Sequence, residues 1–141
     1  MNTFLTTTQT RWMLVDDNED ILLMMSAVLE SMTGAAIECH STPQSAFDAF
    51  REAPGQYELV ITDFEMPGMN GMELCRQMQT LAPAQKIILA TGSGFFTEAA
   101  VRCAGFSALL NKPFPMDLLK AALAKTLGIS VEQLSQDLIT A

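Results

Sequence analysis

With 141 residues, 49% of them hydrophobic and 17% charged, the chain suits one compact domain with a real core and does not have a disordered composition. A formal net charge of −8 excludes a dominant basic surface that could hold nucleic acid by its phosphates. Residues 1–10 lack Lys and Arg and any continuous apolar stretch, and no apolar run reaches membrane-spanning length. Neither a signal peptide nor a membrane partner is therefore expected, and the expected location is cytoplasmic.

Apolar runs alternate with helical patterns. Residues 12–15 read as a short buried strand that ends at Asp16. Residues 19–32 carry Ile21, Leu22, Met25, Val28, Leu29 and Met32 as a helical stripe. A second strand spans 35–40, and Thr42 followed by Pro43 starts a helix with a hydroxyl cap and a proline where no N–H is needed. Ala46, Phe47, Ala49 and Phe50 form its apolar face, and Pro54 with Gly55 stops it. The third strand, 59–62, ends at Asp63. Residues 66–71 are loop chemistry, with Pro67, Gly68 and Gly71 as breakers. A helix over 72–81 turns Leu74, Met78 and Leu81 to one side. The fourth strand, 87–90, runs into Thr91, Gly92, Ser93 and Gly94. A short helix over 97–104 ends at Gly105, a fifth strand covers 108–110, and a last helix over 115–127 directs Leu118, Leu119, Ala122 and Leu123 inward. Cys39, Cys75 and Cys103 lack metal-ligand spacing and lie in apolar runs, so buried reduced thiols are expected.

Five strand–helix repeats with short apolar strands predict an α/β fold. The sheet is parallel, five-stranded and doubly wound, covered by helices on both faces as a three-layer sandwich. In such sheets ligands bind beyond the carboxyl ends of the strands. Those ends carry Asp16 and Asp17, then Asp63, then Thr91, with Lys112 just after the fifth strand. If the first and third strands are neighbours, three carboxylates share one crevice. At about 5 Å and an effective dielectric of about 20, each ionised pair repels by about 3 kcal/mol. A hard divalent ion with oxygen ligands, Mg²⁺ above all, resolves that repulsion, and Lys112 adds a fixed positive charge. Taken singly, the aspartates would pass for loop residues or helix caps, a role open to Asp17 or Asn18. Thr91 and the glycines around Ser93 add a hydroxyl and accessible backbone N–H groups. A phosphoryl group carried by Asp63 fits that inventory of carboxylate nucleophile, cation, hydroxyl and ammonium.

Four separate segments then match one family in order. Val15, Asp16, Asp17 and Asn18 form the first, and Thr62 and Asp63 with the loop Met66 to Gly71 the second. Thr91 and Gly92 are the third, and Lys112, Pro113 and Phe114 the fourth. Over residues 11–127 the chain closely resembles the receiver domain of two-component response regulators, which has a flavodoxin-like fold. The resemblance implies that Asp63 takes a phosphoryl group from a sensor histidine kinase or a histidine phosphotransfer protein. It implies Mg²⁺ on Asp16, Asp17, Asp63 and the backbone carbonyl of Glu65. Thr91 and Lys112 would contact the phosphoryl oxygens, and Gly92 would leave the group open to donor and water. The implied role is a signalling phosphoacceptor that catalyses only its own phosphorylation and dephosphorylation. An effector protein would read the result, and a homodimer is compatible with it.

One position departs from the family. Three residues before the lysine, receivers commonly carry Tyr or Phe as a switch coupled to the threonine; here it is Leu109. Phe95 and Phe96 precede the fourth helix, where at least one is expected to pack inward, the alternative being an exposed partner-binding pair. Other aspartyl-phosphate chemistry fits less well. A haloacid-dehalogenase-type phosphatase needs a second aspartate two residues after the nucleophile, where this chain has Glu65. A flavodoxin-like flavin binder needs a phosphate-binding loop where Asp16 and Asp17 would repel it. A receiver-like module that is never phosphorylated would not need the full acid, Thr and Lys set.

Residues 1–10 read as a flexible leading segment and 128–141 as an extension. Gly128 caps the last helix, Ser130 with Gln133 looks like a capping box, and Val131, Leu134, Leu138 and Ile139 make a helical stripe. A short extra helix over 129–139 is expected.

Overall fold

A computed structural model describes residues 10–134. Five parallel strands, β1 (Arg11–Val15), β2 (Ala36–His40), β3 (Leu59–Thr62), β4 (Ile87–Thr91) and β5 (Ala108–Asn111), lie in the order β2-β1-β3-β4-β5. The helices are α1 (Glu19–Thr33), α2 (Pro43–Glu52), α3 (Gly71–Leu81), α4 (Glu98–Cys103) and α5 (Met116–Leu127). Strand residues alternate between two cores, as a pleat with both faces covered requires. Trp12, Leu14, Ile61 and Ile88 join Leu22, Met25 and Leu29 of α1 and Leu119 and Leu123 of α5. Met13, Val15, Val60 and Leu89 meet Phe50 of α2, Leu74 and Met78 of α3 and Val101 of α4. The sheet is therefore doubly wound, and β1 and β3 are direct neighbours in register Val15 to Thr62. That register sets Asp16 and Asp63 side by side.

The helix starts follow their sequence signals. Asn18 accepts the N–H groups of Asp20 and Ile21, Thr42 that of Ser45, Asn70 that of Glu73 and Thr97 that of Ala100. The predicted box closes reciprocally: Ser130 N–H donates to Gln133 Oε1 at 2.8 Å and Gln133 N–H to Ser130 Oγ at 3.1 Å. Residues 131–134 form a helical turn, and Leu134 is buried in the α1–α5 core. Residues 1–9 of the leading segment, and Leu138 and Ile139 of the stripe, lie outside the described residues.

Three expectations are corrected. Only Cys75 is buried; Cys39 and Cys103 are exposed. Cys39 lies on β2, the edge strand, whose residues are only partly covered, and Cys103 ends α4 on its outer side. Leu118 does not point inward but is 56% exposed, because the buried face of α5 runs through Leu119, Leu123 and Ala124. Leu81 is likewise exposed at the last turn of α3.

Candidate functional site

The strands deliver the acids directly. Asp16 follows β1, and its backbone N–H donates to His40 O of β2 at 3.1 Å. Asp63 follows β3, and its N–H donates to Val15 O at 2.9 Å, which extends the ladder by one step and fixes both acids on one rim. Asp16, Asp17 and Asp63 each offer a carboxylate oxygen within 4.8 Å of the others. Asp16 is buried, Asp63 half-buried and Asp17 exposed. The grouping expected of neighbouring first and third strands is thus present.

Lys112 reaches back across the rim. Its Nζ donates to Asp16 Oδ2 at 2.6 Å and lies 3.8 Å from Asp63 Oδ2. The other Asp16 oxygen, Oδ1, accepts the N–H of Asn18 at 2.9 Å. Asp63 Oδ1 accepts the N–H of Phe64 at 2.7 Å. Burial pushes the Asp63 carboxyl above the ordinary aspartate range and outweighs Lys112 and the Phe64 N–H, while the charges of Asp16 and Asp17 push the same way. This carboxylate is thus short of compensating positive charge. Three acids of hard oxygen on one rim fit Mg²⁺ by donor chemistry.

Thr91 ends β4, the strand beside β3, and is buried; its Oγ1 accepts the N–H of Ser93 at 3.3 Å. Its carbonyl accepts the N–H of Lys112 at 2.9 Å, so the β4 and β5 ends are tied together. Glu65 is exposed on the loop after Asp63. A side chain at Gly92 would make only ordinary contact with Lys112 Cβ, at 3.9 Å, so packing inside the domain does not require glycine there.

Three features were not anticipated from the sequence. A Cβ at Gly71 would collide with the Asp63 carbonyl oxygen, while the Gly71 N–H donates to Phe64 O at 2.9 Å. The start of α3 is thereby pressed against the backbone of Asp63. The cue was present, since a glycine directly after the Asn70 cap is unusual unless space demands it. Second, the Phe64 ring meets Phe96 edge-on, with centroids 4.8 Å apart at 61°. Of the two phenylalanines before α4, Phe96 packs inward and Phe95 is 87% exposed.

The third is a separate polar cluster beside the α2 face. Glu38 Oε1 accepts from Arg11 at 3.1 Å, and Oε2 accepts from the Tyr57 hydroxyl at 2.9 Å and lies 2.7 Å from His40 Nε2. His40 Nδ1 lies 2.6 Å from Ser45 Oγ, and Arg11 also stacks over the Tyr57 ring at 4.6 Å. Burial alone would push Glu38 up. The hydrogen bonds from His40, Tyr57 and Arg11 together reverse that and hold it below the ordinary range. Burial, then the bond to Glu38, pushes the Tyr57 hydroxyl up to about 12. Among the described residues, no helix is long and apolar enough to cross a membrane.

Comparison with known proteins places this geometry in a family. Residues 13–124 match the response regulator receiver domain, and the chain belongs to that family. It is a receiver domain of the two-component response regulator type. Its relatives include the transcriptional regulatory protein FixJ of Azorhizobium caulinodans, 30% identical over 87% of this chain and 57% of that protein. The aerobic respiration control sensor protein ArcB of Escherichia coli is 27% identical over 80% of this chain and 14% of its own length. The chain thus spans about half of the first relative and a small part of the second. Among solved structures, a receiver domain protein from Clostridium thermocellum aligns with a TM-score of 0.77 at 25% identity, over 84% of this chain and 94% of that one. Response regulator TrrA from Thermotoga maritima, solved in complex with Mg²⁺-BeF, aligns at 0.74 and 29% identity, over 84% and 100%.

Proposed function

We propose that this receiver accepts a phosphoryl group on Asp63 from a phosphohistidine and signals by a conformational change. The observation that carries the reading is the half-buried Asp63 carboxylate, grouped with Asp16 and Asp17 and bridged only loosely by Lys112. Phe64 N–H holds Oδ1 and so fixes the carboxylate's orientation, which leaves Oδ2, on the Lys112 side, to attack phosphorus. The bond from phosphorus to Oδ2 forms as the bond to the donor imidazole nitrogen breaks, and the imidazole leaves. Asp16, Asp17 and Asp63, with the backbone carbonyl of Glu65, would hold Mg²⁺. When bound, the ion supplies positive charge to the phosphoryl oxygens. Lys112 Nζ and the Thr91 hydroxyl supply the remaining contacts to those oxygens. The same residues serve hydrolysis, in which a water oxygen bonds to phosphorus as the bond to Oδ2 breaks and inorganic phosphate leaves the free carboxylate, and no external substrate is turned over.

A protein donor is supported by the surface beside the site. An open apolar groove of about 510 Å³ between α1 and the β5–α5 loop, lined by Ile21, Met24, Val28, Phe114 and Met116, ends at Lys112. A sensor histidine kinase or a histidine phosphotransfer protein could lay an apolar helix there with its histidine over Asp63. The net charge of −8 favours a protein effector over direct nucleic-acid binding. The cytoplasm, where such donors present their phosphohistidines, is the location this reading requires.

Incubation with Mg²⁺ and acetyl phosphate followed by intact-mass measurement tests the chemistry. The wild type gains one phosphoryl mass and Asp63→Asn gains none. An unmodified wild type, or an adduct of equal yield on Asp63→Asn, overturns the reading.

A further inference from the structure

We propose that the state of Asp63 is carried to α4 through the Phe64–Phe96 ring contact rather than along β5. The inference rests on the phosphoacceptor reading and adds the route by which that site is reported outward.

Phe64 is joined to the site at three points. It is covalently next to Asp63, its N–H holds Asp63 Oδ1 at 2.7 Å, and its carbonyl accepts the Gly71 N–H at 2.9 Å. A phosphoryl group on the carboxylate changes the charge on Oδ1, so the strength of the Phe64 N–H bond changes with it. The Gly71 anchor leaves Phe64 little freedom to absorb that change by shifting its carbonyl, and the freer end is the ring.

That ring meets the segment that leads into α4. Residues 92–97 connect β4 to α4, and Phe96 is the residue before the Thr97 cap. Within this segment the only side-chain hydrogen bonds found among the described residues, before the cap, run from Ser93 N–H to Thr91 Oγ1 at 3.3 Å and from Phe95 N–H to Ser93 Oγ at 3.2 Å. Both are long and depend on the Thr91 hydroxyl, directly or through Ser93. The Thr91 hydroxyl has lone pairs to accept from Ser93 whether or not its O–H donates to a phosphoryl oxygen, so this long bond alone is a weak reporter of the site. The edge-on ring pair is a side-chain contact between the segment and the residue after Asp63, and such pairs are directional.

The β5 alternative is poorly equipped. Leu109 pairs with Leu89 and packs half-buried in the same apolar cluster as Phe64 and Phe96. It has neither a ring edge nor a polar tip, so it distinguishes two positions of Thr91 by bulk alone. Phe96 is therefore a positioning residue, passing the position of Phe64 on to α4.

The experiment reads adduct and response separately. Each variant is treated with Mg²⁺ and acetyl phosphate, occupancy is measured by intact mass, and backbone amide shifts over residues 93–103 are followed by NMR. Wild type should show occupancy-dependent shifts in α4. Phe96→Ala and Phe96→Leu should keep occupancy within about twofold of wild type and lose more than half of the α4 shift changes. Phe96→Tyr, which keeps the ring, should restore them, and Leu109→Ala should leave them in place. Full α4 shift changes in both Phe96→Ala and Phe96→Leu at matched occupancy overturn the route, as does their loss in Leu109→Ala alone. Absence of any adduct on wild type overturns the phosphoacceptor reading itself, a different result from an adduct without a relay.

Discussion

The domain carries two polar clusters on either side of β1, one centred on β2 and one on the end of β3, and they are built on opposite terms. Around Glu38 every carboxylate oxygen has a donor: Arg11 on one, Tyr57 and His40 on the other. Around Asp63 one oxygen has a backbone donor and the other has a lysine at 3.8 Å that is already committed to Asp16. The consequence appears in acidity, with Glu38 held below its ordinary range and Asp63 pushed above it. A satisfied network fastens a sheet edge to a helix. A half-satisfied one leaves a carboxylate that a cation would stabilise, as the proposed Mg²⁺ would.

The comparison can be broken most severely at the backbone. The Asp63 cluster is shaped by packing, because Gly71 leaves room for the Asp63 carbonyl. Gly71→Ala should therefore cost about 2–3 kcal/mol by overpacking and lower phosphoryl uptake together with stability. A melting temperature unchanged within error, alongside normal uptake, would refute it. Next in size is Mg²⁺, which should stabilise the wild type by about 1.4 kcal/mol at ten times its dissociation constant. Asp63→Asn should be more stable than wild type without metal and gain little from it, and calorimetry with and without Mg²⁺ decides this.

Glu38→Gln should have the opposite sign to Asp63→Asn, costing about 1 kcal/mol at neutral pH, since the cluster is partly exposed. The pH dependences separate the two further. In the folded state burial makes the Asp63 carboxyl titrate above the ordinary aspartate value, so its penalty is absent below that ordinary value. That penalty grows as pH rises through the folded one. Glu38 is depressed, so its stabilisation is complete above the ordinary glutamate value and fades as pH falls through the folded one. On acidification the advantage of Asp63→Asn and the deficit of Glu38→Gln should both shrink from their opposite signs; melting curves from pH 7 to about pH 3 in which either difference stays constant would show that the assignment is wrong. The smallest effect is expected at Phe95, whose ring is 87% exposed: Phe95→Ser should change stability by less than about 0.5 kcal/mol. A larger loss in thermal unfolding would mean that the ring is packed.

The rim was legible because it is written locally. An apolar run that ends in aspartate needs only strand periodicity to place the acid at the sheet's carboxyl edge, and the Asn18, Thr42 and Ser130 caps are equally local. What stayed hidden depends on distant partners. Arg11, Glu38 and Tyr57 are 27 and 46 residues apart in pairs, and no spacing rule joins them. A buried Cys39 is expected if every strand is covered on both faces, yet β2 is an edge strand, a property of sheet order rather than of the strand itself. Leu118 misled for a related reason, since an apolar residue beside the stripe of α5 cannot be told from one within it until the helix is docked. Phe96 was half-read: that one ring of the pair turns inward was expected, but that it meets the residue after Asp63 was not.

The bridge from Lys112 to Asp16 has one further consequence. Both oxygens of Asp16 are engaged, Oδ1 by Asn18 and Oδ2 by the lysine at 2.6 Å, so a cation entering the proposed site competes with an ammonium already there. Whatever draws Lys112 onto another oxygen loosens its hold on Asp16 and strengthens cation binding. Thermodynamic reciprocity requires the cation to favour the lysine's departure by the same factor. Loading the metal and freeing the lysine are then one equilibrium seen from two sides, and the resting ion pair sets where it stands.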